Sequence, residues 1–120
     1  TSAIDIWGIK VVADNKREIS LFELKKSNNK KVGALTEMLF YANHIDHVIK
    51  KKFRYNMNTP ATKLIQSTQK VNCYLLAPAP HPLIDNEIFS VMNSAEYDIH
   101  YGSVEIYKED NEMKFLIRVQ

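Results

Sequence analysis

Apolar and polar positions alternate at both ends of the chain, and between those ends the apolar spacing lengthens to three and four residues. "AIDIWGIKVV" (3–12) is rich in β-branched residues and predicts a strand. "ADNKRE" (13–18) is a polar turn, and "ISLFELKK" (19–26) returns, which predicts an antiparallel hairpin. In a strand alternate side chains share a face. Ile19, Leu21, Glu23 and Lys25 therefore point one way, and Ser20, Phe22, Leu24 and Lys26 the other. Both faces carry large apolar groups, so the strand is expected to be covered on each side. Glu23 and Lys25 then fall at the rim of a core, where charge is costly unless something compensates it.

After the loop "SNNKK", in which Ser27 or an Asn can serve as an N-cap, the period changes to that of a helix. Val32, Leu35, Met38, Leu39, Ala42, Ile45, Ile49 and Phe53 recur at three- and four-residue steps, predicting a helix from about Lys31 to Phe53 with one face in the core. Lys50, Lys51 and Lys52 crowd its last turn, where cations complement the helix dipole. "NTPATKLIQS" predicts a short helix with Thr59 as N-cap and Pro60 at its first position. "KVNCYLLA" (70–77) is a buried strand, "PAPHP" breaks it, and 83–95 is an amphipathic helix. "YDIHYGSVEIY" and "MKFLIRV" flank a "KEDNE" turn and predict a C-terminal hairpin. The order β-β-α-α-β-α-β-β points to an α/β or α+β layer structure around a mixed sheet flanked by helices. With no internal repeat or linker, residues 1–120 read as one domain.

Composition narrows the class. At 120 residues and 45 % hydrophobic content, the chain has enough material for a core without covalent staples. The single Cys73 excludes an internal disulfide and fits a reducing compartment. No apolar run is long enough to span a bilayer and no signal-peptide pattern is present, so a soluble, cytoplasmic protein with no membrane partner is expected. A start at Thr1 rather than Met leaves room for a longer, multidomain parent. The net charge of +2 conceals an asymmetry: residues 1–70 hold 13 Lys/Arg against 6 Asp/Glu, a net +7, and residues 71–120 hold 3 against 8, a net −5. "LKKSNNKK" and "IKKKFRY" in the basic half fit either a polyanionic partner or a solvated helix end and loop.

The chemistry lies at the strand ends. Asp5 sits between Ile4 and Ile6 in the first strand. A turn centred near residues 15 and 16 sets Glu23 opposite residue 8 and Lys25 opposite residue 6, which brings Asp5 near both. Two neighbouring carboxylates repel unless they are protonated or bridged by a cation. Mg²⁺ takes one or two carboxylates and keeps positions for water and phosphate oxygens. A lysine beside it can orient a water and stabilise charge on a phosphate.

Asp5 in "IDI", then the turn, then "FELKK" (22–26) resembles the Asp…(Asp/Glu)-x-Lys signature of the PD-(D/E)xK nuclease superfamily. The following helix carries Glu37-x-x-x-Tyr41, where several exonuclease-like branches of that superfamily place Gln-x-x-x-Tyr. The resemblance covers roughly residues 3–77. Ile4 stands in the Pro position, Glu37 replaces the more usual Gln, and the family's preceding helix and strand have no counterpart here. The resemblance implies a restriction-endonuclease-like fold and Mg²⁺- or Mn²⁺-dependent cleavage of phosphodiester bonds in DNA. It makes Asp5 and Glu23 metal ligands, with the Leu24 carbonyl as a third candidate. Lys25 becomes the catalytic lysine, and Glu37 and Tyr41 become groups that either support the residues around the metal or position the substrate. The alternative is an inactive module of the same fold that binds nucleic acid or another protein; a free sheet edge also invites a second copy of the chain, a homo-oligomer.

Other residues carry simpler readings. Glu37 and Tyr41 share a helical face with Lys30 and His44, which fits a solvated polar face as well as a site. His44 and His47 lack further ligands nearby and read as surface residues; His100 reads as part of a strand face. His81 follows the end of a core strand and Cys73 is a small buried hydrophobe with no adjacent base. Phe53 and Tyr55 among basic residues fit either stacking on nucleic acid or closure of the helix onto the core.

Overall fold

The computed structural model of the chain describes residues 4–25, 33–51, 59–78, 86–93 and 98–119. They form an α+β fold: a five-stranded mixed sheet with three helices. The strands are β1 (Ile6–Ala13), β2 (Lys16–Leu24), β3 (Lys70–Ala77), β4 (Ile99–Glu109) and β5 (Glu112–Val119), in spatial order β1-β2-β3-β4-β5. The helices are α1 (Gly33–Ile49), α2 (Pro60–Gln66) and α3 (Asn86–Met92). Two antiparallel hairpins, β1–β2 and β4–β5, flank β3, which pairs in parallel with both β2 and β4. Those parallel pairings require crossovers, and α1 with α2, then α3, lie on them.

Turn chemistry is local. Asp14 and Asn15 form the first turn, with Asn15 at φ 60°; Asp110 and Asn111 form the second, at φ 51° and 63°. Asn and Asp tolerate this left-handed region better than other side chains, and two successive such residues suit the twist of a hairpin. Thr59 caps α2 as its sequence predicts: its Oγ1 accepts from the Thr62 N–H at 3.2 Å, and Pro60 occupies the first turn.

The core lies on one face of the sheet. Ile19, Leu21, Val71, Cys73, Leu75, Ile99 and Tyr101 meet Met38, Tyr41, Ala42 and Ile45 of α1 and Phe89 of α3. The opposite face carries Ser20, Phe22, Tyr74 and His100, all half-buried, so among the described residues β2 is fully covered on one side only.

Three expectations need correction. The first hairpin turns at 14–15 rather than 15–16, and a register shift between Val11 and Ala13 moves the pairing further. Ile6 pairs with Phe22, so continuing one step sets Asp5 itself, not residue 8, opposite Glu23. Next, α1 ends at Ile49: Lys50 and Lys51 follow it in a tightened turn, with Lys51 at φ 55°. Their amides donate to Asp46 and Val48 carbonyls at 3.0 and 3.1 Å. Finally, the buried face of α1 is rotated from the expected stripe. Leu39 is exposed, while Tyr41 is only 8 % exposed and belongs to the core rather than to a polar face with His44. Val32, Phe53, Tyr55 and His81 lie outside the described residues.

Candidate functional site

The end of β2 delivers its last inward carboxylate where the apolar face stops. Glu23 continues the row Ile19, Leu21 on the core side and is 6 % exposed. The chain then leaves the strand at Lys25, whose amide still donates to the Leu76 carbonyl of β3 at 3.0 Å. That bond fixes the backbone under the lysine. Asp5 closes the other side: its Oδ2 accepts the Leu24 N–H at 2.9 Å, ahead of the first residue of β1. A short carboxylate capping a strand-end amide holds the two hairpin arms together where ladder pairing ends.

Lys25 is the hub. Its Nζ lies 3.2 Å from Glu23 Oε1 and 3.3 and 3.4 Å from the two oxygens of Glu37 on the second turn of α1. Hence the hairpin supplies Asp5, Glu23 and Lys25, and the crossover helix supplies Glu37. Glu23 Oε2 is buried with no hydrogen-bond partner. An ionised oxygen in that position lacks the compensation that burial demands.

The electrostatics reflect this geometry. Burial pushes the Glu23 carboxyl up to about 7; a hydrogen bond that its protonated form makes to Glu37 adds to this, Lys25 opposes it, and the charge of Asp5 adds again. Glu37 moves below its ordinary value, because the Glu23 hydrogen bond and the Lys25 ammonium favour its charged form and outweigh its partial burial. For Lys25, burial disfavours the ammonium, but hydrogen bonds to Glu23 and Glu37 and their charges win and raise its pKa. Lys25 is thus a fixed cation: a donor and charge stabiliser rather than a proton acceptor.

The structure therefore brings Asp5, Glu23, Lys25 and Glu37 together and leaves Tyr41 in the core beneath them. Among the described residues, no three His, Cys, Asp or Glu side chains are gathered into a metal-binding group. His44 stacks beside Phe40 on the exposed face of α1, with ring centroids 6.3 Å apart, and Asp46 pairs with Lys50 at 3.0 Å. Cys73 is buried and its thiol is pushed up to about 12, chiefly by that burial, which removes it as a nucleophile.

One feature of the other sheet face is not legible in the sequence. Phe22 and Tyr74 stack there with centroids 5.5 Å apart at the edge of a cavity of about 440 Å³. Its only sequence signal is that Ser20 and Phe22 share a face, which the pairing of β2 with β3 extends to Asn72 and Tyr74. No family model, curated protein or solved structure matches the chain. No described helix is long and apolar enough to cross a membrane.

Proposed function

We propose that the chain is a divalent-metal-dependent nuclease-like domain of the PD-(D/E)xK kind, with a restriction-endonuclease-like core, acting on phosphodiester bonds of DNA. The observation that supports this best is the buried, partnerless Glu23 Oε2 beside Asp5, within one ion pair of Lys25. Such an oxygen calls for a proton or a cation, and a hard divalent ion bound through two carboxylates keeps open positions for water and phosphate. Asp5 and Glu23 are the residues that would hold Mg²⁺ or Mn²⁺. When bound, the ion would supply Lewis-acid stabilisation of the phosphate and a more acidic water.

The chain's own groups define the rest. Lys25, kept protonated by Glu23 and Glu37, donates hydrogen bonds toward the phosphate and offsets charge developing on it. Glu37 sets the lysine's position and accepts the hydrogen bond that protonated Glu23 makes to it. Asp5 ties the carboxylates to the strand end through the Leu24 amide. The experiment is a Mn²⁺ titration by calorimetry together with nicking of supercoiled plasmid. Wild type is expected to bind and nick. Asp5→Ala is expected to lose the heat of binding, and Lys25→Ala to keep that heat while losing nicking. Equal heats for wild type and Asp5→Ala reject the ligand assignment.

A second reading is a silent module of the same architecture that binds nucleic acid or another protein. The closed Glu23–Lys25–Glu37 arrangement favours it, since those ion pairs satisfy the lysine without any substrate. DNA binding without lysine-dependent nicking would select it.

A further inference from the structure

We propose that the open face of the sheet is a nucleotide-binding subsite that stacks one base of a single-stranded nucleic acid and pairs its phosphate with lysine. It lies on the side of the sheet opposite the Glu23–Lys25 cluster and does not depend on the nuclease reading.

Strand pairing arranges this face in three rungs. The first is charged: Lys10 pairs across β1–β2 with Glu18, and Glu18 pairs across β2–β3 with Lys70. The second is small and polar, Ser20 beside Asn72 beside His100. The third is aromatic, Phe22 beside Tyr74, with Gly102 completing the row in β4. All three border the same cavity of about 440 Å³, a volume in the range of small-molecule sites.

The chemistry of the rungs is that of a nucleotide. Phe22 and Tyr74 form an aromatic pair and remain half-buried, leaving ring surface on the cavity wall against which a base can continue the stack. Tyr74 keeps its hydroxyl proton, since burial and then the charge of Glu18 raise its pKa, so it is a neutral donor at the rim. Asn72 lines the cavity in the middle rung, and a 3.0 Å bond from its Nδ2 to Glu18 Oε1 holds its amide in place there. At the far rung Glu18 is already shared between Asn72 and Lys70, the latter at a loose 3.8 Å. Lys10 has no ion pair among the described residues and is exposed. Two lysines against one engaged carboxylate leave net positive charge, suited to a phosphate. From the charged to the aromatic rung is four residues of strand, about 13 Å at roughly 3.3 Å per residue, a span that a nucleotide and the phosphate of its neighbour can bridge. Aromatic faces beside a cationic track accept any base in a single strand, whereas a duplex hides its base faces.

The test measures fluorescence anisotropy of a labelled ten-residue oligothymidylate with the full chain in EDTA, so that metal-dependent cleavage plays no part. Phe22→Leu keeps apolar bulk but removes the ring, and Lys10→Gln removes an exposed charge without setting a like charge opposite Glu18. Each is expected to raise Kd on the order of tenfold, with unchanged circular dichroism. Lys63→Glu, on α2 away from this face, is expected to stay close to wild type. Competition by thymidine monophosphate with the same dependence on Phe22 and Lys10 assigns the subsite to free nucleotides as well; competition by the strand alone assigns it to nucleic acid. No binding by wild type overturns the proposal. So does equal affinity of wild type and both face variants, or an equal loss in Lys63→Glu, or duplex binding as tight as single-strand binding.

Discussion

Replacing Glu23 by Gln should make the metal-free protein more stable above neutral pH, although the residue is central to the proposed activity. The unfolded carboxyl titrates near its ordinary 4.5 and the folded one near 7. A group whose folded pKa is raised contributes its stability fully below the unfolded value and loses it as pH rises through the folded value. In wild type the loss runs from about pH 4.5 to about pH 7 and is complete above that. A difference of two to three pKa units corresponds to roughly 3 kcal/mol at about 1.4 kcal/mol per unit. Gln keeps the shape of the protonated acid and cannot ionise. Its oxygen can accept from Lys25 and its amide can donate to Glu37, replacing the hydrogen bond that the protonated carboxyl makes. Urea melts of wild type and Glu23→Gln in EDTA at pH 5 and pH 8.5 measure this directly. The two proteins should lie close together at pH 5, and the variant should be more stable by roughly 3 kcal/mol at pH 8.5, equivalent to a rise in Tm on the order of 10 °C for a chain of this size. A gap that is the same at both pH values would refute the reasoning, because it would mean that Glu23 does not ionise against its surroundings. Adding Mn²⁺ at pH 8.5 should narrow the gap by stabilising wild type alone, since a ligand stabilises only the state that binds it.

The same cluster yields further expectations. Lys25→Met removes the neighbour that, among the described residues, lowers the Glu23 pKa, so the acid limb of metal-dependent nicking should move to higher pH as its maximum rate falls on the order of 10²-fold; an unmoved limb would show that Glu23 does not govern it. Glu37→Gln removes a like charge from Glu23, and the same limb should move to lower pH, read from a pH–rate profile. Away from the site, Leu21→Ala at a position 1 % exposed should cost about 2–5 kcal/mol in urea melts while leaving Mn²⁺ affinity of the folded protein unchanged.

Much of the architecture is legible in the chain because its signals are local. Strand β3 falls on the predicted 70–77, Thr59 caps α2, and the Asp–Asn pairs turn both hairpins. The features that sequence reasoning misses depend on tertiary placement. The rotation of α1 is set by where the crossover lands on the sheet, so Tyr41 is buried and Leu39 is not, although the sequence makes either face plausible. The hairpin register depends on an irregularity near Val12 that no local pattern in "KVVADN" announces. For the site, Asp5, Glu23 and Lys25 can be grouped from strand alternation and turn position alone. The reach of Glu37 to Lys25 cannot, because it requires knowing which turn of α1 faces the strand end. The cavity beside Phe22 and Tyr74 is hidden for a similar reason: half of it comes from strands that only the fold brings next to β2.

The position of β3 carries a consequence for how the chain reaches this structure. The two hairpins join neighbours in sequence and can form within microseconds. The middle of the sheet is different, since Leu24 must find Leu76 and Val71 must find Ile99. Closing such long loops before any parallel bond forms is entropically slow, so docking of the hairpins onto β3 is the step expected to set the folding rate. The cluster around Lys25 straddles that late junction, through the Leu76 carbonyl and Glu37 of α1. The hairpin brings Asp5, Glu23 and Lys25 with it, and the contact with Glu37 and the bond to Leu76 are completed only when β3 and α1 dock.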